Sequence, residues 1–386
     1  MPQQLIYLDN AATSHPKPET VYQAVNEALR AGGNPGRGGH RLALAAGRRV
    51  LAAREALASL LNAPDASRVL FTSSCTDSLN MALKGLLQPG DHVVTTALEH
   101  NALRRPLGAL ERQGISVTRV LGGSDGRIDP DAIRTALRPT TKLIALAHAS
   151  NVSGAIQPVA EIGAVARQAG VLFLVDAAQS AGALPIDMRQ MGIHLLAAPG
   201  HKGLLGPQGT GILCVDPVVA LKPIREGGTG SRSSEEVQPD AFPEGFESGT
   251  LNLSGIAGLA AGVAYLQRQG VDRIRQHELD LTGQLVEGLR GISGVTVYGP
   301  TNPAHRAAVV AFGIEGIDPG EVEELLDDRF GVIGRAGLHC NPGCHAQLGT
   351  LAGGGAMRLS PGHCTTNADI AQAVRAVATL AALRRD

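Results

Sequence analysis

The chain has 386 residues, a formal net charge of -1, 44% hydrophobic residues, 3% aromatic residues and no tryptophan. That length allows a large core and favours two domains over one, while near-neutrality leaves no global field to attract nucleic acid or an anionic membrane. Five cysteines at irregular spacing make no disulfide framework and suit a reducing compartment. Met1–Leu5 lacks the basic and apolar stretches of a secretory signal, and apolar runs such as 143–149 and 171–175 are strand-sized, so a cytoplasmic location without a membrane span is expected.

Helical patterning appears first at 18–31, with Pro18 in the first turn, and at 43–61, rich in Ala, Leu, Arg and Glu. Short apolar runs then alternate with helical stretches. Strands are predicted at 68–71, 92–96, 116–120, 143–147 and 172–175, and helices at 77–85, 102–113, 130–137 and 159–168. This alternation predicts an α/β fold with a mainly parallel sheet covered on both faces. The stretch 226–249, rich in Gly, Ser, Pro and Glu, reads as a long loop, functional or mobile. Helices at 254–269, 271–288, 319–330 and 367–383, with strands near 295–298 and 307–312, read as a smaller α+β domain.

Three apolar runs end in polar residues, where the strands of such sheets bind ligands. Asp176 closes the run 171–175. It either caps a helix or pairs with a cationic group such as a pyridinium N–H, since a buried unpaired carboxylate is costly. Lys202 lies in a glycine-rich stretch after the run 195–198. It could form an imine once desolvation lowers its pKa, or bind a phosphate. Thr76 follows 68–71 at a predicted helix start, which is either an ordinary cap or a phosphate site.

Taken together, these segments resemble the cysteine desulfurase branch of the class V aminotransferases, over nearly the whole chain. The residues that carry the resemblance are Leu8–Thr13, Asn34–His40, Glu99-His100-Asn101, Ser150–Gly154, Val175–Gln179, Gly200-His201-Lys202, Phe246–Thr250, Arg335–Cys340 and Met357-Arg358. The resemblance implies a fold-type I enzyme dependent on pyridoxal 5'-phosphate (PLP), with a seven-stranded sheet. It implies a large domain over 15–261 and a small domain from 1–14 and 262–386 that carries the cysteine loop. Lys202 would hold PLP as a Schiff base and move the substrate α-proton. His100 would stack on the ring, Asp176 would pair with its nitrogen, and Gln179 and Asn151 would bond near the phenolate and the substrate. Thr76 and His201 would bind the phosphate, and Thr250 would reach the neighbouring subunit's cofactor in a homodimer. Arg358 would clamp the substrate carboxylate. Cys340 matches the nucleophile of an Arg-x-Gly-x-His-Cys motif. It would take sulfur from L-cysteine as a persulfide, release alanine and pass the sulfur to an acceptor protein. His339 and Arg335 would favour its thiolate.

The chain departs from the family pattern at Pro199, where many members carry a hydroxyl donor, and at Leu338-His339 in place of His-His. Cys344 is an added thiol four residues after Cys340, read either as a relay or resolving cysteine or as a turn residue without a role. A zinc site from His339, Cys340, Cys344 and His345 would occupy the nucleophile, and no metal is expected. Glycines in 349–355 predict a mobile segment at the site mouth. Competing activities are selenocysteine lyase and a β-lyase on cystine or cysteine conjugates. Other classes are a non-catalytic sulfur-transfer scaffold and a dinucleotide-binding oxidoreductase suggested by the glycines in 34–40, though no strand is predicted before them.

Overall fold

The computed structural model describes residues 5–383, so the ends of the expected small domain, 1–4 and 384–386, and most of the N-terminal segment judged free of a secretory signal lie outside the described residues. The first elements are β1 (Ile6–Tyr7), α1 (Glu19–Ala31), α2 (Arg41–Leu61), β2 (Val69–Thr72), α3 (Cys75–Leu86), β3 (His92–Thr96), α4 (Asn101–Glu111) and β4 (Ser116–Val120). They continue with α5 (Pro130–Thr135), β5 (Thr141–Ala147), α6 (Val159–Ala169), β6 (Leu172–Asp176), β7 (Leu195–Pro199), β8 (Gly211–Val215), α7 (Leu253–Gln269) and α8 (Val271–Arg290). Last come β9 (Val295–Tyr298), β10 (Val310–Ile314), α9 (Pro319–Phe330), β11 (Val332–Ile333), α10 (Pro342–Gln347), β12 (Met357–Leu359) and α11 (Asn367–Leu383).

Seven strands form one sheet in the order β2-β8-β7-β6-β5-β3-β4. β8 runs antiparallel to β2 and β7, and the other neighbours are parallel. The mainly parallel α/β sheet expected from the alternation is therefore present. β12-β10-β9 form a separate antiparallel sheet, and β1 pairs with β11. Strand β8 escaped the sequence reading because its glycine-rich approach looks like a loop. Its first residue must be small, since a Cβ on Gly211 would stand 2.5 Å from the Ser74 carbonyl carbon. β10 starts later than the predicted 307, because Ala307 donates its N–H to Gly154 O instead of joining the ladder.

Strand period 2 sorts the core. Phe71, Val94, Ile144, Phe173 and Leu196 pack on one face of the large sheet, and Leu70, Val93, Leu143, Leu174 and Leu195 on the other. A third cluster unites Ile6 and Leu8 with Leu281, Leu285, Phe312, Leu359 and Val377. The change of core falls inside α8, since Ile274 still packs with the first cluster. The stretch 226–249 is loop apart from a short 3-10 turn at Glu244–Phe246. Its end is fixed by Glu247, which pairs with buried Arg54 and accepts the Phe71 N–H at 2.6 Å. No helix among the described residues is long and apolar enough to cross a membrane.

Candidate active site

The carboxyl ends of the parallel strands open into a cavity of about 260 Å³, whose lining includes Lys202, Asp176, His100, Thr76, Cys340 and Arg358. Gln179, Asn151 and His201 also line it. Thr250 does not. It is exposed, in a separate groove lined also by Asp77 and Arg225.

Asp176 ends β6, and no helix follows it, so the capping alternative falls away. Its Oδ1 accepts the Ala178 N–H at 2.9 Å and the Cys75 thiol at 3.4 Å. Burial, reinforced by the Asp176 charge, pushes the Cys75 thiol well up, so it stays protonated as a donor. Lys202 reaches the cavity from the loop after β7. That loop turns tightly enough that a Cβ on Gly200 would stand 2.1 Å from Thr210 Oγ1. Burial lowers the pKa of the Lys202 amine, against the opposing pull of Asp176. His100 caps α4, with Nδ1 accepting the Ala102 N–H at 3.0 Å, so the neutral ring carries its hydrogen on Nε2. Burial lowers its pKa too, with Asp176 opposing and Lys202 adding to the fall.

One end of the cavity suits an anion. Ser74 caps α3, its side chain accepting the Asp77 N–H at 3.2 Å, and Ser74, Cys75 and Thr76 of that first turn line the space. His201 Nδ1 is buried there without a partner, and burial with nearby Lys202 and Lys17 pushes its pKa down to about 4. Pro199 lines the same wall and brings no donor, as its sequence position implied. An unpartnered imidazole nitrogen, a free helix N-terminus, an amine of lowered pKa and a carboxyl group at a strand end, all lining one cavity, are the polar groups that a phosphorylated pyridine aldehyde requires. The residues fit PLP.

Residues of the small antiparallel sheet and of the cysteine loop complete the lining. Arg358, in β12, is 2% exposed. It donates to Asp9 Oδ1 at 2.6 Å and Asn151 O at 3.1 Å, and its Nε is buried without a partner. The Asn151 side chain is engaged with the cysteine loop, donating to His339 O at 2.6 Å and accepting from Asn341 Nδ2 at 3.2 Å. Gln179 Nε2 donates to Ala11 O at 3.0 Å. Cys340 is exposed, and its carbonyl accepts the Asn101 N–H at 2.9 Å, which docks the loop on α4.

Some expectations change here. His339 cannot favour a Cys340 thiolate by its charge. Burial, aided by the Arg358 charge, pushes its pKa down to about 3, and both ring nitrogens are engaged, with Arg335 O and with His345. Arg335 keeps its place in the cavity wall. Cys344 is no turn residue: it sits in α10, 1% exposed and packed in the first core, with Sγ 3.7 Å from Ser150 Oγ and a pKa raised by burial. A relay role would require that thiol to leave its packing. Among the described residues no group of three or more His, Cys, Asp or Glu side chains is arranged to hold a metal ion, so the zinc alternative finds no geometry. The stretch 349–355 folds as turns, where a Cβ on Gly355 (φ 110°) would stand 2.1 Å from Gly337 O. Glycines 36, 38 and 39 lie between α1 and α2, so a helix and not a strand leads into them, which removes the dinucleotide alternative.

The sequence reading gave no individual role to Cys75, Ser74, Asp9 or Asn341, although Asp9 lies in the matched stretch Leu8–Thr13 and Ser74 and Cys75 adjoin Thr76 at the predicted helix start. Ser74 and Asn341 carried local signals as helix N-cap residue types, and Asn341 Oδ1 accepts the Cys344 N–H at 3.1 Å.

The family model for aminotransferase class-V matches residues 6–373. A probable cysteine desulfurase of Methanothermobacter thermautotrophicus is 37% identical over 372 residues, 95% of this chain and 92% of that one. The structure of a cysteine desulfurase from Thermococcus onnurineus NA1 superposes with a TM-score of 0.91 at 33% identity, covering 98% of this chain and 95% of that one. For the cysteine desulfurase CsdA from Escherichia coli the TM-score is 0.86 at 30% identity, with the same coverage. The resemblance carried by the motifs is thus matched along the chain and in three dimensions, and the protein belongs to the class-V aminotransferase family, among its cysteine desulfurases.

Proposed function

We propose that the cavity binds PLP through Lys202 and converts L-cysteine to alanine, with the sulfur received by Cys340 as a persulfide. One observation carries this reading: Lys202, Asp176 and Arg358 line the same cavity as an accessible thiol. Bound PLP would supply an electron sink for charge developing at the substrate Cα. Asp176 would hold the ring nitrogen protonated, and the His100 ring would cover a ring face. Ser74, Thr76 and His201 would hold the phosphate.

The protein's own groups then divide the work. Arg358 offers an unpartnered Nε and a guanidinium fork, anchored by Asp9, to the substrate carboxylate. The Lys202 amine, its pKa lowered, takes the proton from Cα. Cys340 Sγ attacks the substrate sulfur. The new S–S bond forms as the Cβ–S bond breaks, the electron pair left on Cβ takes up a proton equivalent to the one the Cys340 thiol gave up, and Lys202 returns a proton to Cα to complete alanine. The exposed position of Cys340 suits delivery of that sulfur to a thiol of an acceptor protein. Thr250, outside its own chain's cavity, supports a homodimer in which it completes the neighbour's phosphate site, and the exposed Leu29, Leu42 and Leu44 of the α1–α2 region offer apolar surface for such a contact.

The reading is tested by adding L-cysteine to the PLP-loaded protein and to Cys340→Ser, and measuring alanine and sulfide. Loss of alanine formation in Cys340→Ser by about a hundredfold or more is expected for a step that needs the thiol nucleophile. A variant that still releases pyruvate and thiocysteine from cystine at the parent rate would identify a β-lyase instead. Selenocysteine in place of cysteine tests the lyase alternative on the same protein.

A further inference from the structure

Behind the nucleophile lies a buried pair of imidazoles that the proposed chemistry does not use. His339 and His345 are 4% and 0% exposed. His339 Nε2 lies 3.0 Å from Arg335 O, His339 Nδ1 lies 3.2 Å from His345 Nε2, and His345 Nδ1 lies 2.7 Å from Thr350 Oγ1. A carbonyl oxygen only accepts, so the hydrogen of neutral His339 is on Nε2. Its Nδ1 must then accept, so His345 donates from Nε2 and accepts at Nδ1 from the Thr350 hydroxyl. The contacts assign every ring proton in the chain of bonds.

The backbone in front of this pair is strained. His339 and Cys340 have φ of 48° and 57°, two successive side-chain-bearing residues in the left-handed region. Such a conformation persists only where its surroundings impose it. The main chain is held at two carbonyls: Asn151 Nδ2 donates to His339 O at 2.6 Å, and the Asn101 N–H donates to Cys340 O at 2.9 Å. The His339 ring is held by His345.

We propose that His345, backed by Thr350, is a positioning residue for sulfur transfer. Its Nε2–H fixes the His339 ring, and that ring fixes the strained turn that presents the Cys340 thiol to the cavity. His345 is absent from the cavity lining, so it acts through its neighbour and not on the cofactor or substrate. The proposal rests on the reading of Cys340 as nucleophile.

The test uses purified PLP-loaded protein and two readings. One is exchange of the α-hydrogen of L-alanine in D2O, which needs Lys202 and Arg358 but no thiol. The other is single-turnover persulfide formation on Cys340 from L-cysteine, followed by mass spectrometry. In His345→Ala, persulfide formation is expected to slow about tenfold or more, the scale set by small misplacement of a reacting group, while exchange stays within about twofold. His345→Gln keeps an N–H donor and an acceptor and is expected to recover most of the loss. The proposal is overturned if His345→Ala forms persulfide at the parent rate, if Gln recovers nothing, or if exchange falls in parallel. Should His345→Ala fail to fold, Thr350→Val is measured in the same way: slower persulfide formation with unchanged exchange supports the proposal, and equal rates overturn it. Cys340→Ser that still releases sulfur at the parent rate would instead remove the nucleophile assignment beneath it.

Discussion

Arg358 carries its charge into a strand with almost no exposed surface, where Asp9 and the Asn151 carbonyl hold two of its nitrogens and leave Nε free. Lysine has no planar fork and cannot keep both anchors while meeting a carboxylate. Arg358→Lys is therefore expected to raise KM for cysteine about tenfold or more with a smaller change in kcat, as initial-rate kinetics would show. Unchanged KM would contradict the carboxylate role. At this scale Lys202 and Asp176 stood out in the sequence at the ends of apolar runs and His100 and Arg358 through the family resemblance, and all four line one cavity. The Cys75 thiol against Asp176 was not legible: the two are 101 residues apart and meet only where α3 starts beside the end of β6.

Among the elements, α3 links local structure most directly to function. Ser74 satisfies one first-turn N–H, and the others of that turn remain for an anion. Ser74→Ala is expected to cost about 1 kcal/mol of stability and to raise the PLP dissociation constant several-fold, with spectroscopic titration of the cofactor-free protein as the measurement. Retained affinity would separate the cap from the phosphate site. Most long helices and five of the seven large-sheet strands could be read from periodicity, within a residue or two at many of their ends. α10 could not, because six residues of Pro, Gly, Cys, His, Ala and Gln show no apolar period, and its formation depends on the Asn341 cap and on burial of Cys344. The expected boundary at 261/262 cuts through α7, whose Val263 and Leu266 pack wholly with the first core.

Across the whole molecule, stability couples to pH through buried acids. Glu278 in α8 is pushed up to about 8 from 4.5 by burial, with Arg275 opposing. The native state thus keeps a proton that the unfolded chain releases above about 4.5, and its contribution to stability is lost as pH rises toward 8. Glu278→Gln is expected to flatten the fall of unfolding free energy between pH 5 and 8 by up to about 1.4 kcal/mol per pH unit. Denaturant unfolding across that range would show it, and an unchanged slope would refute it. The buried Arg54–Glu247 pair works at the same scale, tying the end of the 226–249 loop to α2 and β2.

The sequence by itself determined the alternation of strand and helix, the lysine and aspartate at two strand ends, and the cysteine motif, since these are properties of short segments. Tertiary structure alone decided the protonation and engagement of His339, the burial of Cys344 and the thiol partner of Asp176. Desolvation and hydrogen bonding depend on which distant segments close over a side chain, and no local pattern records that.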